Sequence, residues 1–562
     1  MTNKEIAKQF ALMGDLMELH QDNPFKIKTY QSAYITLRKL ETPLADMSLA
    51  DIAAIKGVGK AVSEKIQALL QTGTFDALES FKAQTPAGVV QMLQISGFGP
   101  KKIWAIWKDL EIETIGELQY ACNENRLIEL KGFGSKTQAD LKKKLEYFVK
   151  SQHWHRYADV ETEAKATFEL LKKAFPKANI DFCGAYRRLN PTLERIEFLI
   201  GFDQYNEEKA SAELSELLSA KDFVAKTKLD EHYIYGNMPS ELPFTIYMCD
   251  KADFGSKLFK YTTPRAVIEA FMQHSETTDF QHLANETDVF SKANIAFIAP
   301  ELREETSLLP PLLSSKERPI LIADSDIKGV LHTHSTYSDG LNSIAEMANQ
   351  AQASGYQYLL MSDHSKAAFY ANGLKEDRLL QQWEEIDALN ATFTNGFKVL
   401  KGIESDILYD GSLDYPGDLL KQFDCIVASV HSQLKMDLEK ATSRLIRAVE
   451  NPYTKILGHP TGRLLLSREG YPIDHKKVID ACAANGVAIE LNAHPYRLDL
   501  DWTWIPYARE KGVLIAINPD AHSTHGIADI RYGVLAARKG GLTAEGCLNT
   551  LSLTDFTKWL AK

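Results

Sequence analysis

Histidines and carboxylates recur in the last third of this 562-residue chain, in short sequences typical of metal-binding sites. Imidazole and carboxylate groups without thiolate suit Zn²⁺, Mn²⁺ or Fe²⁺ better than Mg²⁺ or Ca²⁺. Nine residues form this set: His332, His334, Asp339, His364, Glu404, His431, His459, Asp520 and His522. Nine ligands exceed the needs of one ion and are enough for two or three, with Mn²⁺ and Zn²⁺ as the expected cofactors.

The chemistry expected of such a site is hydrolysis of phosphate esters. Clustered divalent ions lower the pKa of a bound water, hold phosphate oxygens and stabilise a leaving oxygen. Glu404 and Asp520 are the predicted catalytic carboxylates. Arg463, in His-Pro-Thr-Gly-Arg, is a candidate to hold the phosphate of the substrate, with an ordinary surface role as the alternative.

Seven short apolar runs, separated by amphipathic helices, are the elements that must position these residues. The runs are Gly329–His332, Tyr358–Met361, Val399–Gly402, Cys425–Ser429, Lys455–Leu457, Ala488–Leu491 and Val513–Ile517. Their alternation with helices predicts a parallel α/β barrel, with an open doubly wound sheet as the rival fold. The nine residues follow the carboxyl ends of six runs, which is the face where parallel barrels build active sites.

These residues and their spacing resemble the polymerase and histidinol phosphatase (PHP) family of phosphoesterases over residues 325–562. The resemblance implies a distorted seven-stranded barrel with a trinuclear metal site. It also implies three ligand groups: His332, His334, Glu404 and Asp520; then Glu404 (bridging), His431 and His459; then Asp339, His364 and His522.

Residues 1–150 read as nearly all helix and contain one pattern three times. An apolar helix end precedes Gly-apolar-Gly, and a lysine-bearing helix follows, at intervals of 40 and 35 residues. The glycines permit a tight turn that presents backbone N–H groups to phosphate, so these turns resemble helix-hairpin-helix motifs. The candidate DNA-contacting residues are Gly57, Gly59, Lys60, Gly97, Gly99, Lys101, Gly132, Gly134 and Lys136. Contacts of this kind hold DNA without reading its sequence.

The same region resembles the N-terminal part of family X DNA polymerases, with Asn23–Tyr30 matching the signature of their first domain. Lys65 matches the position of the Schiff-base lysine in members with lyase activity, and a solvated surface charge is the alternative.

The Gly184–Arg188 segment resembles the Gly-Ser-x-Arg-Arg motif of the nucleotidyltransferase palm, with Ala185 in place of the serine. Strand alternation puts Arg195 and Glu197 on one face, and Thr245 stands at the third position of the family's carboxylate triad. Two-metal phosphoryl transfer needs several carboxylates, so we expect a polymerase-like scaffold without polymerase activity.

The chain is therefore predicted to be multidomain. The N-terminal region is all-α with helix-hairpin-helix motifs, the middle is α+β and nucleotidyltransferase-like (polymerase beta-like), and the C-terminus is the distorted seven-stranded α/β PHP barrel. The predicted boundaries are 1–80, 81–152, 153–260, 261–315 (a thumb-like region ending in a linker at Leu309-Pro310-Pro311) and 325–562.

Composition limits the compartment and the partners. The net charge is −11, yet residues 1–150 hold 20 basic and 18 acidic residues, so charge alone leaves the partner open. Six scattered cysteines suit buried thiols in a reducing cytoplasm, and no apolar run approaches the roughly 18 residues of a membrane span. We expect a cytoplasmic protein that binds gapped, nicked or damaged DNA, with no membrane association and no obligatory protein partner.

The whole architecture resembles bacterial family X polymerases that carry a C-terminal PHP domain. That resemblance implies 3′–5′ exonuclease activity and cleavage at abasic sites, within DNA repair. Two alternatives are a small-molecule phosphatase similar to histidinol phosphatase and a non-catalytic DNA-binding scaffold. The three hairpins argue against the first alternative, and the complete ligand set argues against the second.

Overall fold

The structure, a computed structural model, describes residues 1–40, 42–95, 97–123, 127, 130, 132–151, 154–228, 232–466 and 468–562. Ser96 and Lys131, which belong to the second and third predicted hairpins, and residue 152, a predicted boundary, lie outside the described residues. The chain forms two compact units, Met1–His153 and Trp154–Lys562. Among the described residues no helix combines the length and apolarity that crossing a membrane requires.

The first unit is all helical, as predicted. Its helices are α1 Asn3–Leu19, α2 Pro24–Leu37, α3 Leu49–Ala54, α4 Lys60–Thr72, α5 Asp76–Ala83, α6 Ala87–Met92, α7 Pro100–Asp109, α8 Ile115–Asn123 and α9 Ser135–Ser151. Helix α1 begins at a capping box between Thr2 and Glu5, and α2 begins at Asn23 with Pro24 in its first turn. The side chains of Thr2 and Asn23 accept hydrogen bonds from backbone N–H groups in the first turn, which have no partner within the helix. Pro24 has no N–H and so leaves one fewer group to satisfy.

The second unit begins with a mixed α/β region. Its elements are β1 His155–Arg156, α10 Tyr157–Ala174, β2 Asn179–Cys183, α11 Gly184–Arg187, β3 Thr192–Leu193, β4 Ile196–Phe202, α12 Glu207–Ser219, β5 Val224–Lys228, β6 Tyr233–Asn237, β7 Pro243–Asp250, α13 Phe254–Thr262, α14 Arg265–His274, α15 Glu286–Lys292 and α16 Leu309–Ser314. Five strands form a sheet in the order β2-β4-β7-β6-β5, in which only β4 and β7 pair in parallel.

The segment that was expected to be a linker is structured instead. Leu309-Pro310-Pro311 begins helix α16, and Leu309 and Leu313 are buried in an apolar cluster with Phe271 and Phe290. Proline lacks an N–H, but the first turn of a helix has no use for one, so two prolines are compatible with a helix start.

The rest of the unit is a parallel barrel. Its elements are β8 Gly329–Thr333, α17 Ile344–Ala353, β9 Tyr358–Met361, α18 Glu376–Asn390, β10 Lys398–Asp406, α19 Gly417–Leu420, β11 Cys425–Ser429, α20 Leu438–Val449, β12 Ile456–Leu457, α21 His475–Asn485, β13 Ala488–Asn492, α22 Ile505–Glu510, β14 Ile515–Asn518, α23 Ile530–Lys539 and α24 Leu553–Leu560. The strands pair in chain order from β8 to β14, all in parallel.

The sheet closes on itself between the end of β8 and the residues that follow β14. Thr333 bridges Ala521 in parallel, and the N–H of His334 donates to the carbonyl of Ala521 at 2.9 Å. The strand order and this closure confirm the predicted distorted seven-stranded barrel and exclude the open doubly wound sheet.

Helix α23 joins the barrel to the mixed α/β region through buried charges. Arg531 makes two hydrogen bonds to the carboxylate of Glu161 (2.7 and 2.6 Å), and Arg538 pairs with Glu301 at 2.6 Å. The Nζ atom of Lys539, a residue that is only 1% exposed, donates to the backbone carbonyl of Arg188 at 2.8 Å. Lys539 also bonds Asn190 at 2.7 Å and lies 3.3 Å from a carboxylate oxygen of Glu304. We call these contacts the α23 seam.

Candidate metal centre and nucleic-acid interface

All nine predicted metal ligands converge at the carboxyl end of the barrel strands. The centre of the cluster is Glu404 of β10, which is 1% exposed. Its carboxylate oxygens lie 3.3 Å from His332, 3.6 Å from His334, 2.9 Å from His364, 3.1 Å from His431 and 3.0 Å from His459. Asp520 lies 3.1 Å from His334, and Asp339 lies 3.5 Å from His364 and 3.4 Å from His522.

Three groups within this cluster have ligand atoms close enough to share an ion. They are His332, His334 and Glu404; His364, Glu404 and His431; and His334, Asp339, His364 and His522. Glu404 belongs to two of the groups, in keeping with its expected bridging position. The groups differ from the family-implied sets in that His334 also joins the Asp339 group and His364 joins Glu404 and His431. Asp520 and His459, which the family-implied sets include, lie beside the groups and belong to none of them.

The donor set fits divalent metal ions. Nε2 of His332 and Oε2 of Glu404 are buried atoms that, among the described residues, have no hydrogen bond of ordinary geometry. Burying polar atoms without partners costs free energy, so their convergence favours a bound cation between them. The mixture of imidazole and carboxylate suits Mn²⁺ and Zn²⁺, and the identity and number of the ions remain predictions.

Carboxylates behind the cluster orient its histidines, and the sequence analysis missed them. Glu490 of β13 accepts a hydrogen bond from Nδ1 of His332 at 2.7 Å, which turns Nε2 of that ring toward Glu404. Asp406 does the same for Nδ1 of His431 at 2.9 Å. Such outer partners set the tautomer and orientation of a ligating histidine. The available signal was a carboxylate inside the otherwise apolar run Ala488–Leu491.

The charges of the cluster are strongly coupled. Burial opposes ionisation of Glu404, yet the imidazoles of His431, His332 and His364 outweigh it and hold its pKa well below the usual range. Burial likewise opposes protonation of His431, but the carboxylates of Glu404 and Asp406 raise its pKa to about 10. The cluster therefore keeps Glu404 ionised and ready to hold a cation.

Arg463 is held by the neighbouring loop, and its predicted contact with substrate phosphate stays a prediction. Its guanidinium donates to the backbone carbonyls of Arg497 and Leu498 and to the carboxylate of Asp501 at 2.5 Å, so all three of its nitrogens are used within the neighbouring loop. Arg497, which the sequence analysis missed, is the arginine beside the cluster, with Nε 3.6 Å from Oδ2 of Asp520. Arg463 thus supports the loop that carries Arg497.

The three hairpins have a common construction in the first unit. The first glycine of each adopts a left-handed backbone (φ of 89°, 79° and 88°), and the apolar residue that follows it is buried. We call Gly57, Gly97 and Gly132 the first hairpin glycines, and Gly59, Gly99 and Gly134 the second hairpin glycines. A side chain added at any second hairpin glycine would meet no atom within 4 Å.

The second hairpin glycines lie at the starts of helices α4, α7 and α9. Gly59 and Gly99 are the N-cap residues of α4 and α7, and the carbonyl of Gly134 accepts the N–H of Gln138 at 3.0 Å. The predicted lysines Lys60, Lys101 and Lys136 are all exposed within the first turn after these glycines. Open backbone N–H groups beside exposed cations suit phosphate.

Lys65 lies on the exposed side of α4. Its Nζ atom donates to the carbonyl of Ala61 at 3.1 Å and lies 6.0 Å from the centre of the Tyr30 ring. The lyase role of Lys65 therefore stays a prediction.

The palm-like sheet carries the residues that the sequence analysis aligned with the carboxylate triad. Glu197 of β4 is the register partner of Thr245 of β7, and Arg195 is exposed just before β4. The carboxylate of Glu197 accepts the hydroxyl of Tyr247 at 3.2 Å and the backbone N–H of Ala185. A side chain added at Gly184 would collide with this carboxylate, so Glu197 is packed into the protein.

Comparisons with known proteins agree with this architecture. Residues 1–75 match the family model described as a helix-hairpin-helix domain, residues 89–146 match a SAM-like helix-hairpin-helix tandem, and residues 331–494 match the PHP domain. A probable phosphatase of Thermoanaerobacter sp. is 32% identical over 40% of this chain and 91% of its own length. A probable phosphatase of Acetivibrio thermocellus is 32% identical over 34% of this chain and 78% of its own length.

A relative from Bacillus subtilis matches along the whole chain. It is named DNA polymerase/3′-5′ exonuclease PolX, and it is 33% identical over 579 aligned positions that cover 100% of both chains. With two helix-hairpin-helix regions, a mixed α/β middle and a PHP barrel in the same order, the chain belongs to the bacterial PolX family of family X DNA polymerases with a C-terminal PHP domain.

Proposed function

We propose that this protein is a metal-dependent DNA phosphoesterase that removes nucleotides from 3′ ends and cleaves at abasic sites, with the PHP barrel as its catalytic part. The observation that carries the proposal is the convergence of the other eight predicted metal ligands around buried Glu404. A set of this size supports several ions, with Mn²⁺ or Zn²⁺ as the expected identity.

The chain's own residues hold and orient this site. When bound, the ions would supply an activated water and neutralise charge on the reacting phosphate. Glu490 and Asp406 fix the rings of His332 and His431, so their Nε2 atoms face Glu404. Arg497, beside Asp520 and partly exposed, supplies a cation that can receive a phosphate oxygen of the substrate.

Two observations favour DNA over a small phosphate ester as the substrate. The chain has exposed lysines beside three hairpin turns that suit phosphates of a DNA backbone. Exposed aromatic rings also follow the carboxyl ends of three barrel strands: Phe369 after β9, Tyr409 after β10 and Tyr496 after β13, which are 86%, 52% and 44% exposed. Unpaired bases stack on such rings, whereas a small phosphate ester has no use for them.

We further propose that the palm-like sheet does not extend primers. Glu197 is the one carboxylate at the three positions of the family triad, and its oxygens are engaged by Tyr247 and Ala185. Arg187 and Arg188 of the Gly184–Arg188 motif are likewise paired with Glu286 and Glu304 at 2.8 and 2.7 Å. A triphosphate with two dications would have to displace these contacts.

The test uses a single-stranded oligonucleotide and an abasic-site duplex, each labelled at the 5′ end, with Mn²⁺ and with or without EDTA. We expect 5′-labelled products that shorten stepwise from the 3′ end, strand cleavage at the abasic site, and loss of both reactions in EDTA. Primer extension should be absent in the presence of nucleoside triphosphates. Hydrolysis of histidinol phosphate without cleavage of either DNA would instead establish the phosphatase alternative.

A further inference from the structure

The palm-like sheet bears a cleft that neither the metal centre nor the hairpins use. Its volume is about 680 Å³, and its walls are strands β6 and β7 on one side and helix α13 on the other. We call it the palm cleft and define it by Arg195, Tyr233, Tyr235, Lys257, Lys260 and Tyr261. Neither Asp nor Glu is among the described residues that line it.

The floor of the palm cleft is a row of tyrosines. Tyr233 and Tyr235 are two residues apart on β6, so both side chains lie on the same face of the sheet. Their register partners on β7 are Tyr247 and Thr245, respectively. Both rings are partly exposed, and within the described part of the chain no hydrogen bond engages either hydroxyl. These two rings are therefore available to a flat ligand.

The other aromatic wall is held in place. Tyr247 and Tyr261 stack on each other with ring centres 3.8 Å apart and planes 5° apart, and the hydroxyl of Tyr247 is bonded to Glu197. The Nζ atom of Lys260 lies 5.5 Å from the centre of the Tyr261 ring. A rigid ring with a nearby cation forms a second side on which a base can pack.

Three cations of the palm cleft are not used in ion pairs. Arg195, Lys257 and Lys260 have no ion pair with any residue that the structure describes. Glu197, the nearest carboxylate below the floor, is engaged by protein donors. Cations without ion pairs in a concave site attract anions, and here they come from the residue before β4 and from helix α13.

We propose that the palm cleft binds single-stranded DNA without divalent metal, with bases stacked on Tyr233 and Tyr235 and phosphates beside Arg195, Lys257 and Lys260. Rings plus cations are the elements of a single-strand binding site. A duplex keeps its bases inside and would leave the rings unused. A nucleoside triphosphate concentrates its charge at one point, whereas these cations come from two separate elements of the cleft.

This site extends the proposed function, and only the choice of DNA as the ligand rests on it. The first measurement is cross-linking of the full-length protein to a 12-nucleotide strand of 5-iododeoxyuridine in EDTA, with adducts mapped by mass spectrometry. This readout separates the palm cleft from binding by the hairpins. We expect adducts on peptides that contain Tyr233 or Tyr235. Adducts confined to residues 1–151 would overturn the proposal.

The second measurement is the affinity of a fluorescein-labelled 12-nucleotide thymidine strand in EDTA. Replacing both Tyr233 and Tyr235 with Ala should weaken binding by roughly tenfold or more, because each stacked base contributes on that order. Replacing both with Phe should preserve binding, since the hydroxyls make no hydrogen bond. Full affinity in the alanine variant, or equal loss in the phenylalanine variant, would contradict stacking.

Charge variants complete the test. The double variant Lys257→Ala and Lys260→Ala should bind more weakly, and its salt dependence should flatten by roughly 1.4 in slope, about 0.7 per phosphate contact. The matched control replaces Lys172 and Lys173, exposed lysines of α10 outside the cleft, and should bind as wild type. If ATP binds the wild-type protein but not the lysine double variant, and the strand gives no adduct in the cleft, the ligand is a nucleotide and the proposal fails.

These outcomes are independent of the metal centre. Binding and cross-linking are measured in EDTA, whereas strand cleavage is measured separately with Mn²⁺. Cleavage without cleft adducts would leave the proposed function standing and overturn this inference, and cleft adducts without cleavage would do the reverse.

Discussion

Glu404→Gln is the most informative change in the metal centre, because it keeps the size of the side chain and removes its charge. In the structure this carboxylate lies within 3.6 Å of five imidazoles and is 1% exposed, so water cannot replace it. It also belongs to two of the three groups that could hold an ion. A neutral amide at this position would weaken both groups at once.

The size of the effect follows from the contact distances. Two unit charges about 4 Å apart interact by roughly 4 kcal/mol at an effective dielectric constant of about 20. At about 1.4 kcal/mol per factor of ten, losing the charge should weaken metal binding by about a thousandfold. Asp339→Ala should cost less, because the side chain of Asp339 is 37% exposed and belongs to one group only.

The assay pairs metal analysis of dialysed protein with cleavage of end-labelled DNA in Mn²⁺. We expect Glu404→Gln to lose most of its metal and roughly a hundredfold or more of its cleavage rate. Glu384→Gln, an exposed carboxylate change on helix α18, is the matched control and should behave as wild type. If Glu404→Gln keeps full metal content and full DNA cleavage, the assignment of the metal centre as the catalytic site is wrong.

Three further predictions test other parts of the molecule. Valine at all three second hairpin glycines should weaken DNA binding without lowering the melting temperature. Valine at the first hairpin glycines should instead destabilise the fold by about 1 kcal/mol or more each. Wild-type DNA affinity in the variant of the second hairpin glycines would show that DNA binds elsewhere. Without metal, neighbouring carboxylates outweigh burial and raise the pKa of His431 to about 10, that of His522 to about 9 and that of His332 well above its usual value, so metal uptake at pH 7.5 should release roughly three protons and tighten as pH rises. The same pKa shifts stabilise the metal-free fold below the usual histidine pKa, and this stabilisation should disappear as pH rises through 9 to 10. Proton release on metal uptake can be measured by calorimetry in buffers of different ionisation enthalpy, and a binding enthalpy that is the same in all buffers would contradict it. Glu304→Gln should lower the free energy of unfolding by about 3 kcal/mol, because it leaves Arg188 and buried Lys539 with an uncompensated charge, and urea unfolding unchanged from wild type would refute this.

The barrel and its ligands were predictable because the pattern is local. Each ligand follows a short apolar run, and parallel strands bring their carboxyl ends to one edge, so chain position alone places His364 and His459 together. Predicted and observed strands agree to within one or two residues except at Lys398–Asp406, where β10 continues through Glu404. Fold class therefore followed from apolar periodicity.

What escaped prediction depends on contacts between distant segments. Arg463 and Arg497 both lie near histidines in the sequence, and only the path of their loop decides which one faces Asp520. The role of Glu490 was not predicted, because a carboxylate in a buried strand can be assigned a role only when its hydrogen-bond partner, here His332, is known. The helix at Leu309–Ser314 was missed since a pair of prolines reads as a break unless burial of Leu309 is known.

The α23 seam has a consequence for how the mixed α/β region can vary. Glu161, Glu301 and Glu304 of that region are the partners of three cations of α23, and none of them is at a position of the family's carboxylate triad. Changes at Arg195, Glu197 or Thr245 therefore leave the seam intact. Deleting the mixed α/β region would instead leave those cations on the surface of the barrel without their carboxylate partners. The mixed α/β region therefore supports the barrel through this seam independently of any reaction at its own sheet, and its removal should destabilise the barrel.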